Sequence, residues 1–348
     1  MEGNNLAKIQ DVAKLAGVST ATVSRVLNNP ESVKNETSRR VMSAIKSLDY
    51  TPNRVAKSLS SKAQDITVGV IFPDIATFYF AELYKGMSRE ARENNINILL
   101  HELEEGANAR EETLMNALHF LKKSNVSGIL LSSRYIPKEY DQAIKRLGIP
   151  LVMVLSSHEA GSIPAFKIDD KRAAFDSVAY LVSRGHQRIG IISAITNNHN
   201  SGELRHQGFL QGIQYYNLPL SPEQIVYGKM RYDDGYKAMT ELLSNHHKTK
   251  ITAVFAATDE MAIGAIRCVI DSGLKVPEDI SIIGYDNLSI SDMTIPKLTT
   301  ISQPFYEIGK ESMKHMIEII KEPDKGQKSG NHFLAYQLVE RESVKELT

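Results

Sequence analysis

Polar and aromatic side chains follow several short apolar runs in this sequence, and these runs are typical of β-strands. Asp74 comes after "VIFP", Asp286 ends "IIGYD", and Arg205 lies in "SGELRHQGF". Carboxylate and guanidinium groups bind pairs of hydroxyl groups, and aromatic rings cover the C–H faces of a neutral sugar. The residues placed for this chemistry are Asp74, Phe78, Tyr79, Arg205, Asp259, Asp286, Gln303 and Phe305. Asp259 has a second and favoured interpretation, as a carboxylate that fixes the start of the next helix. For Asp74 a purely structural role is an equal alternative.

A second group of short polar side chains lies on one face of the segment 20–28. Small side chains let a backbone approach the floor of the DNA major groove, an arginine can pair with guanine through two hydrogen bonds, and hydroxyl groups can bind phosphates. The outward positions are Thr20, Ala21, Thr22, Ser24, Arg25 and Asn28. The pattern fits a helix that reads DNA, and it also fits an ordinary solvated helix face.

Catalytic and metal chemistry have little support in the sequence. The histidines form no HExxH pair, and no GxSxG, GxxxxGK[ST] or GxGxxG motif occurs. Cys268 is the one cysteine, which excludes an internal disulfide and a cysteine-rich zinc site. We therefore expect no catalytic residue, no metal site and no cofactor.

Three short helices are predicted within residues 9–48. Gly17 ends the first, and Ser19 can cap the second. Two such helices joined by a tight turn form a helix-turn-helix, and a third can close a small core over them. The predicted inward faces carry Ile9, Val12, Ala13, Leu15 and Ala16, then Val23, Val26 and Leu27, then Val41, Ala44, Ile45 and Leu48.

The segment 53–62, "NRVAKSLSSK", is a helix candidate that is too short to be stable alone. Asn53 can cap it, and Val55, Ala56 and Leu59 recur at one-turn spacing. Isolated helices of fewer than about 12–15 residues are marginal in water. This segment therefore needs a partner surface in order to fold.

Beyond residue 63, strand-like runs alternate with helical patterns. The runs are "ITVGVIF", "INILLHEL", "VSGILLSS" and "PLVMVL", then "RIGIIS", "IVYG", "ITAVFAAT" and "ISIIGYD". Such alternation predicts parallel, doubly wound sheets with ligands bound beyond the carboxyl ends of the strands. The predicted fold is a small all-α helix-turn-helix head and an α/β body of two doubly wound lobes that enclose a cleft.

The charges divide the chain into a basic head and a mildly acidic body. Residues 1–62 contain ten Lys or Arg and five acidic residues, a net charge of +5, although the whole chain is neutral. A basic head suits a polyanionic partner such as nucleic acid, while so small an excess also fits a surface fluctuation. No run approaches 18 apolar residues and no signal-like leader is present, so a cytoplasmic protein is expected.

The strings "DVAKLAGVSTATVSRVLNN" and "YTPNRVAKSL" resemble the head and hinge of the LacI/GalR family of bacterial transcription regulators. The resemblance continues through "VGVIFPDI", "RGHQRIGIIS", "FAATDEMAIGAI" and "ISIIGYDN", and the middle of the chain is most similar to the catabolite control protein subgroup. It implies a periplasmic-binding-protein-like body in a homodimer that binds double-stranded operator DNA. It also implies repression of carbohydrate-related genes under the control of a small effector, with the protein on the nucleoid when bound.

The resemblance implies domain limits as well. The expected limits are a DNA-binding domain at 1–50, a hinge helix at 51–63 and a body at 64–348. Within the body, the N-lobe is expected at about 64–165 and 303–326, and the C-lobe at about 166–302 and 327–348.

Residue by residue, the resemblance implies two sets of contacts. The DNA-binding set is Ile9, Ser19, Thr20, Ala21, Thr22, Ser24, Arg25, Asn28, Lys34, Thr37, Asn53, Ala56, Lys57 and Leu59. In this set Leu59 matches a leucine that wedges between base pairs from the minor groove. The effector set is Asp74, Phe78, Tyr79, Arg205, Thr258, Asp286, Gln303 and Phe305.

The chain departs from the family pattern at four positions. Leu155 and Ser156 stand where many members carry an acidic residue and an arginine that hold a sugar, and Met230 stands where an aromatic residue is frequent. Ile295 replaces an arginine with which catabolite control proteins dock a serine-phosphorylated phosphocarrier protein. The alternatives to a sugar-controlled regulator are control by that phosphocarrier protein and a sugar-binding module without a role in gene control.

Overall fold

A computed structural model of the 348-residue chain describes two compact units, which divide between Asp65 and Ile66. The described residues are 7–50, 66–103, 110–132, 136, 138–194, 201–323 and 329–347.

The first unit is a three-helix head, as the sequence predicts. Its helices are α1 (Ile9–Ala16), α2 (Thr20–Asn28) and α3 (Asn35–Ser47). Gly17 ends α1 in the left-handed conformation (φ 64°), which a residue without a Cβ adopts at little cost. The side-chain oxygen of Ser19 accepts a hydrogen bond of 3.1 Å from the backbone N–H of Thr22, so Ser19 caps α2.

One valine from each helix forms the centre of the head core. Val12, Val23 and Val41 are fully buried. The prediction for Leu15 is wrong, because its side chain is 57% exposed. Successive side chains on an α-helix point about 100° apart. Leu15 therefore points away from the face on which its neighbour Ala16 is buried.

The second unit contains the remaining strands and helices. Its strands are β1 (Thr67–Phe72), β2 (Asn97–Glu102), β3 (Gly128–Ser132), β4 (Leu151–Val154), β5 (Ala165–Lys167), β6 (Ile189–Ala194), β7 (Ile225–Gly228), β8 (Ala253–Ala256), β9 (Ser281–Asp286), β10 (Thr299–Ser302), β11 (Asn331–Phe333) and β12 (Gln337–Val339). Its helices are α4 (Phe80–Glu93), α5 (Arg110–Lys123), α6 (Asp141–Leu147), α7 (Asp170–Ser183), α8 (Ser201–Tyr215), α9 (Tyr232–Ser244), α10 (His246–Thr249), α11 (Asp259–Asp271) and α12 (Phe305–Lys321).

The strands form two six-stranded sheets, one in each lobe. The first sheet has the order β11-β5-β4-β3-β1-β2, and all its described pairings are parallel. The second has the order β12-β10-β9-β8-β6-β7, and β12 alone is antiparallel. Continuous apolar runs build the central strands because helices cover both faces of such sheets.

In the described residues the chain passes between the lobes at three places, and strand pairing corrects two of the expected limits. The expected start of the C-lobe at 166 falls inside β5, which pairs with β4 in the first sheet. The expected return at 327 comes before β11, which also pairs in the first sheet. The crossings therefore lie at 168–169, at 303–304 and at 334–336.

The helix after the second crossing returns to the first lobe and packs closely on α4. A Cβ atom added to Gly86 would lie 2.0 Å from the backbone oxygen of Tyr306, and one added to Gly309 would lie 2.0 Å from the backbone oxygen of Leu83. The two helices can therefore pack this closely only with glycine at both positions. This packing attaches α12 to the first lobe.

Candidate functional site

The second helix of the head presents a polar surface. Ser19, Thr20, Ala21 and Arg25 are exposed, while Thr22 and Ser24 are partly buried. The hydroxyl group of Thr22 lies 2.9 Å from that of Ser19, so part of its hydrogen-bonding capacity is used inside the head. The remaining predicted contacts of the head also lie at or near its surface, with Lys34 exposed and Ile9 and Thr37 partly buried.

Five of the predicted DNA contacts are not located by the structure. Asn53, Ala56, Lys57 and Leu59 lie outside the described residues, and so does the side chain of Asn28. The predicted hinge helix and the wedge role of Leu59 therefore remain predictions.

Three predicted effector residues meet in the body. Arg205 extends from α8 and is buried. Its Nη2 atom lies 3.5 Å from Oδ1 of Asp286 at the end of β9. Gln303, which follows β10, donates a hydrogen bond of 2.7 Å from Nε2 to the same Oδ1 atom. The carboxyl ends of neighbouring strands thus bring together groups that are separated by up to 98 positions in the sequence.

A second carboxylate, from Asp170, completes the polar cluster. The Nε of Arg205 donates to Oδ1 of Asp170 over 3.1 Å, and the hydroxyl of Tyr285 donates to the same oxygen over 3.2 Å. Lys167 binds the other oxygen of Asp170 at 2.9 Å. Two cations and two carboxylates therefore balance one another inside the protein, which is how buried charges are normally tolerated.

Burial dominates the acid–base properties of this cluster. Burial opposes the charge of Arg205, yet the negative groups around it, Asp286 first among them, raise the pKa of its guanidinium above the ordinary value. Burial raises the pKa of Asp286 to about 7, although Arg205 and the hydrogen bond from Gln303 act to lower it. The arginine is therefore a permanent cation, and its carboxylate partner titrates near neutral pH.

Asp259 has a structural position, and it differs in detail from the sequence interpretation. It is the first residue of α11, and Thr258 caps this helix by accepting a hydrogen bond of 3.2 Å from the N–H of Met261. The Asp259 carboxylate accepts hydrogen bonds from Leu288 N–H (2.8 Å), Ser291 (2.5 Å) and Thr300 (2.5 Å). It therefore ties the loop after β9 and strand β10 to the start of α11.

Aromatic rings stand on the first lobe near the crossing. The rings of Tyr79 and Phe305 stack with centroids 5.4 Å apart and planes 23° apart. Phe305 is buried, while Phe78 is largely exposed. This pair is in the first lobe because α12, which begins at Phe305, returns there.

Two of the departures from the family pattern have unusual backbone conformations. Leu155 (φ 59°) and Met230 (φ 69°) are in the left-handed region, which is costly for side chains of this size. Ser156, the next departure, is 2% exposed, and its hydroxyl group has no hydrogen-bond partner among the described residues.

Sequence reasoning overlooked Lys167, Asp170, Tyr285 and Arg231. The first three bind one another or Arg205 inside the cluster. The run "KIDD" carried a signal, because a lysine and an aspartate three positions apart follow a short apolar run. Arg231 precedes α9 and forms an ion pair with Asp74 after β1, a pairing that no local pattern announces.

The described parts of the chain contain neither a metal-binding cluster nor a membrane-spanning helix. No cluster of three His, Cys, Asp or Glu side chains there could hold a metal ion. Within the same residues, no helix combines the length and the apolar character needed to cross a bilayer.

Comparison with known proteins agrees with both units. Residues 8–53 match the model of bacterial regulatory proteins of the lacI family, and residues 178–344 match a periplasmic binding protein-like domain. Catabolite control protein A of Priestia megaterium is 38% identical over 306 residues, which cover 88% of this chain and 90% of that protein.

Solved structures extend the similarity to nearly the whole chain. The lac repressor dimer bound to operator and the anti-inducer ONPF has a TM-score of 0.84 and 27% identity, covering 98% of this chain and 100% of that one. The transcriptional regulator CelR in complex with cellobiose has a TM-score of 0.72 and 27% identity, covering 97% and 99%.

A head with a polar second helix, joined to a two-lobed body of periplasmic-binding type, defines a DNA-binding transcription regulator that responds to a ligand. The chain belongs to the lacI family of bacterial regulatory proteins. Its relatives are regulators and not enzymes, in agreement with the sequence analysis.

Proposed function

We propose that this regulator represses carbohydrate-related genes from a pseudo-palindromic operator, and that a neutral sugar or sugar derivative in the cleft controls its binding to DNA. The effector set remains Asp74, Phe78, Tyr79, Arg205, Thr258, Asp286, Gln303 and Phe305. In this proposal the protein acts in the cytoplasm and is on the nucleoid when it is bound to its operator.

One observation carries the effector proposal. Arg205 and Asp286 present a donor and an acceptor 3.5 Å apart, in a buried place at the carboxyl ends of parallel strands. Two neighbouring hydroxyl groups of a sugar match such a pair, because each hydroxyl both donates and accepts. The stacked rings of Tyr79 and Phe305 supply an aromatic face of the kind that packs on C–H groups.

The position of Gln303 supports control of the lobes by the effector. Gln303 lies on the crossing between β10 and α12 and binds Asp286 of the second lobe. A ligand that contacts this group therefore contacts the connection between the lobes. A difference in its affinity for two lobe arrangements is a coupling free energy, typically about 1–3 kcal/mol.

Control by a serine-phosphorylated phosphocarrier protein is the alternative. Recognition of a phosphoserine needs cations. At the position where the catabolite control proteins carry a docking arginine, this chain presents Ile295, which is 88% exposed. This observation favours the sugar over the phosphocarrier protein. A sugar-binding module without gene control is disfavoured by the complete helix-turn-helix head.

The DNA part is tested with the full chain and a truncation that contains residues 63–348, in gel shifts on DNA from the protein's own promoter region. We expect the full chain to bind and the truncation to fail. Equal binding of the two proteins would overturn the assignment of the head.

The effector part is tested by thermal shift and calorimetry with a panel of sugars, using Arg205→Ala and Gln303→Ala. Because Arg205→Ala leaves two buried carboxylates with one fewer cation, Gln303→Ala provides the milder variant. The exposed Arg267→Ala is the matched control. We expect both cleft variants to lose the effector response while the control keeps it. Unchanged effector affinity in both cleft variants would reject the site.

A further inference from the structure

An ion pair that is separate from the Arg205 cluster joins the two lobes across the cleft. Asp74 lies in the first lobe, two residues after β1, and its Oδ2 atom binds Nη2 of Arg231 in the second lobe, directly before α9. Glu260, in the first turn of α11, lies 3.5 Å from Nη1 of the same arginine. One cation thus lies between two carboxylates, and these carboxylates belong to different lobes.

The backbone holds Arg231 in this position. Met230 precedes it in the left-handed conformation (φ 69°), and the Thr258 hydroxyl group donates to the Met230 carbonyl over 3.4 Å. Non-glycine residues in this conformation cost free energy and persist only where the surroundings impose it. The turn therefore constrains the backbone from which the Arg231 side chain extends towards Asp74 of the first lobe.

A second direct contact between the lobes also uses a strained residue. Ser201, at the start of α8 in the second lobe, donates a hydrogen bond of 3.1 Å to the carbonyl of Leu155 after β4 of the first lobe. Leu155 has φ 59°. Of the positions that depart from the family pattern, Leu155 thus makes a direct contact between the lobes, and Met230 directly precedes Arg231, which makes the other.

We infer that Arg231, clamped between Asp74 and Glu260, is a latch that holds the lobes together without a bound effector. The inference rests on the proposed function, in which the lobe arrangement controls binding to DNA. The ion pair then stabilises one arrangement of the lobes before any effector binds. Its strength determines how much of the effector's binding free energy is needed to change that arrangement.

The charges predict an asymmetry that an ordinary surface ion pair would not show. Removal of the Asp74 charge leaves Arg231 paired with Glu260 inside the second lobe, so the lobes lose an attraction. Removal of the Arg231 charge leaves Asp74 and Glu260 facing each other across the cleft, so the attraction becomes a repulsion. Burial raises the pKa of Glu260, Arg231 acts to lower it, and the charge of Asp74 acts to raise it, which agrees with an unfavourable approach of the two carboxylates.

The test compares Arg231→Met, Asp74→Asn and the double variant in the full-length protein without DNA or sugar. Hydrogen exchange is followed in the segments 70–80 and 228–236, and small-angle scattering gives the radius of gyration. Arg267→Met is the matched control, because the described ion pair of Arg267 lies within α11, with Asp271 at 2.9 Å. Circular dichroism verifies that each variant is folded.

We expect Asp74→Asn to accelerate exchange about two- to fivefold, the range for a partly exposed ion pair. Arg231→Met should exceed this value, and the double variant should exchange more slowly than Arg231→Met because the repulsion is gone. At 1 M salt, where charges are screened within about 3 Å, the differences should shrink. No acceleration in Arg231→Met, or strictly additive effects in the double variant, would overturn the latch. The measurement needs neither operator nor effector, so its failure is distinct from a failure of the proposed function.

Discussion

The guanidinium carbon of Arg205 lies 3.8 Å from the centre of the Tyr285 ring, and both side chains are buried. The two are also bound to one oxygen of Asp170, which accepts from the Arg205 Nε and from the Tyr285 hydroxyl group. An arginine over an aromatic face gains about 2 kcal/mol or more when the contact is desolvated. The Tyr285 ring therefore packs against the guanidinium of Arg205, and the Tyr285 hydroxyl group also orients Asp170, a carboxylate partner of that arginine.

This relationship separates two substitutions of Tyr285. Tyr285→Phe removes one hydrogen bond and keeps the ring, so the free energy of unfolding should fall by about 1 kcal/mol. Tyr285→Leu also removes the ring beneath Arg205 and should cost clearly more. Urea unfolding of both variants measures the difference, and equal losses would show that the contact of the ring with Arg205 contributes nothing to stability.

The pH dependence of stability follows from the two buried aspartates. Burial raises the pKa of Asp286 to about 7 and that of Asp259 to about 6. The folded state then keeps protons that the unfolded state has already lost. The stability due to these groups is fully present below about pH 4 and is lost as the pH rises through about 6 to 7. The urea midpoint should fall between pH 5 and pH 8, and the fall should be smaller in Asp286→Asn. If the urea midpoint of Asp286→Asn had the same pH dependence as that of the unchanged protein, the raised pKa of Asp286 would be contradicted.

Asp259 should be a stabilising residue independent of any ligand. Its carboxylate accepts three hydrogen bonds, from Leu288, Ser291 and Thr300, and an amide with one oxygen accepts fewer. Asp259→Asn should therefore lower the free energy of unfolding by about 2–4 kcal/mol. Asp271→Asn, at the exposed end of the same helix, is the control and should stay within about 0.5 kcal/mol. Similar losses in the two variants would count against this role.

Close packing of α4 on α12 gives a steric prediction. In Gly86→Ala the new Cβ would meet the backbone oxygen of Tyr306 at 2.0 Å, so a helix must shift. We expect a loss of about 3 kcal/mol or more in the free energy of unfolding. In the control Gly190→Ala the nearest atoms are 3.5 Å away, an ordinary contact. Comparable stability of the two variants would show that the helices separate easily.

Two basic residues of the head should affect DNA binding differently. Arg25→Ala should cost about 1–3 kcal/mol on operator DNA and little on random DNA, because an arginine on the second helix can read a guanine. Lys34→Ala should weaken both and reduce the salt dependence by about one ion, as expected for a phosphate contact. Fluorescence anisotropy on both DNAs at several salt concentrations measures this. Equal losses for Arg25→Ala on the two DNAs would place Arg25 on the phosphate backbone.

The sequence predicts most elements of the fold, because period and composition are local properties. The three head helices, the cap at Ser19 and the eight apolar runs correspond to elements of the structure. Strands β5, β10, β11 and β12 were not predicted. They have three or four residues each, which is too short to show a clear alternating pattern. Their pairing depends on chain segments that lie far away in the sequence.

The site was predictable where a polar residue of a suitable type lies at the carboxyl end of a predicted strand or directly after it. Arg205, Asp286 and Gln303 lie together as a strand-end rule suggests, although their contact with an effector remains a proposal. Arg231 could not be predicted, because its partner Asp74 is separated from it by 157 positions and belongs to another lobe. The buried role of Asp170 depends on Lys167 and Arg205 together, and no single pattern contains all three.

The segment that follows Ser302 has a consequence for synthesis on the ribosome. Helix α12 and strand β11 complete the first lobe, and β12 completes the sheet of the second, yet all three come after Ser302. Both lobes must therefore wait for the final part of the polypeptide before their sheets and helices are complete. A nascent chain that stalls before residue 305 exposes apolar faces of both lobes at once, which makes such a fragment a substrate for chaperones and proteases.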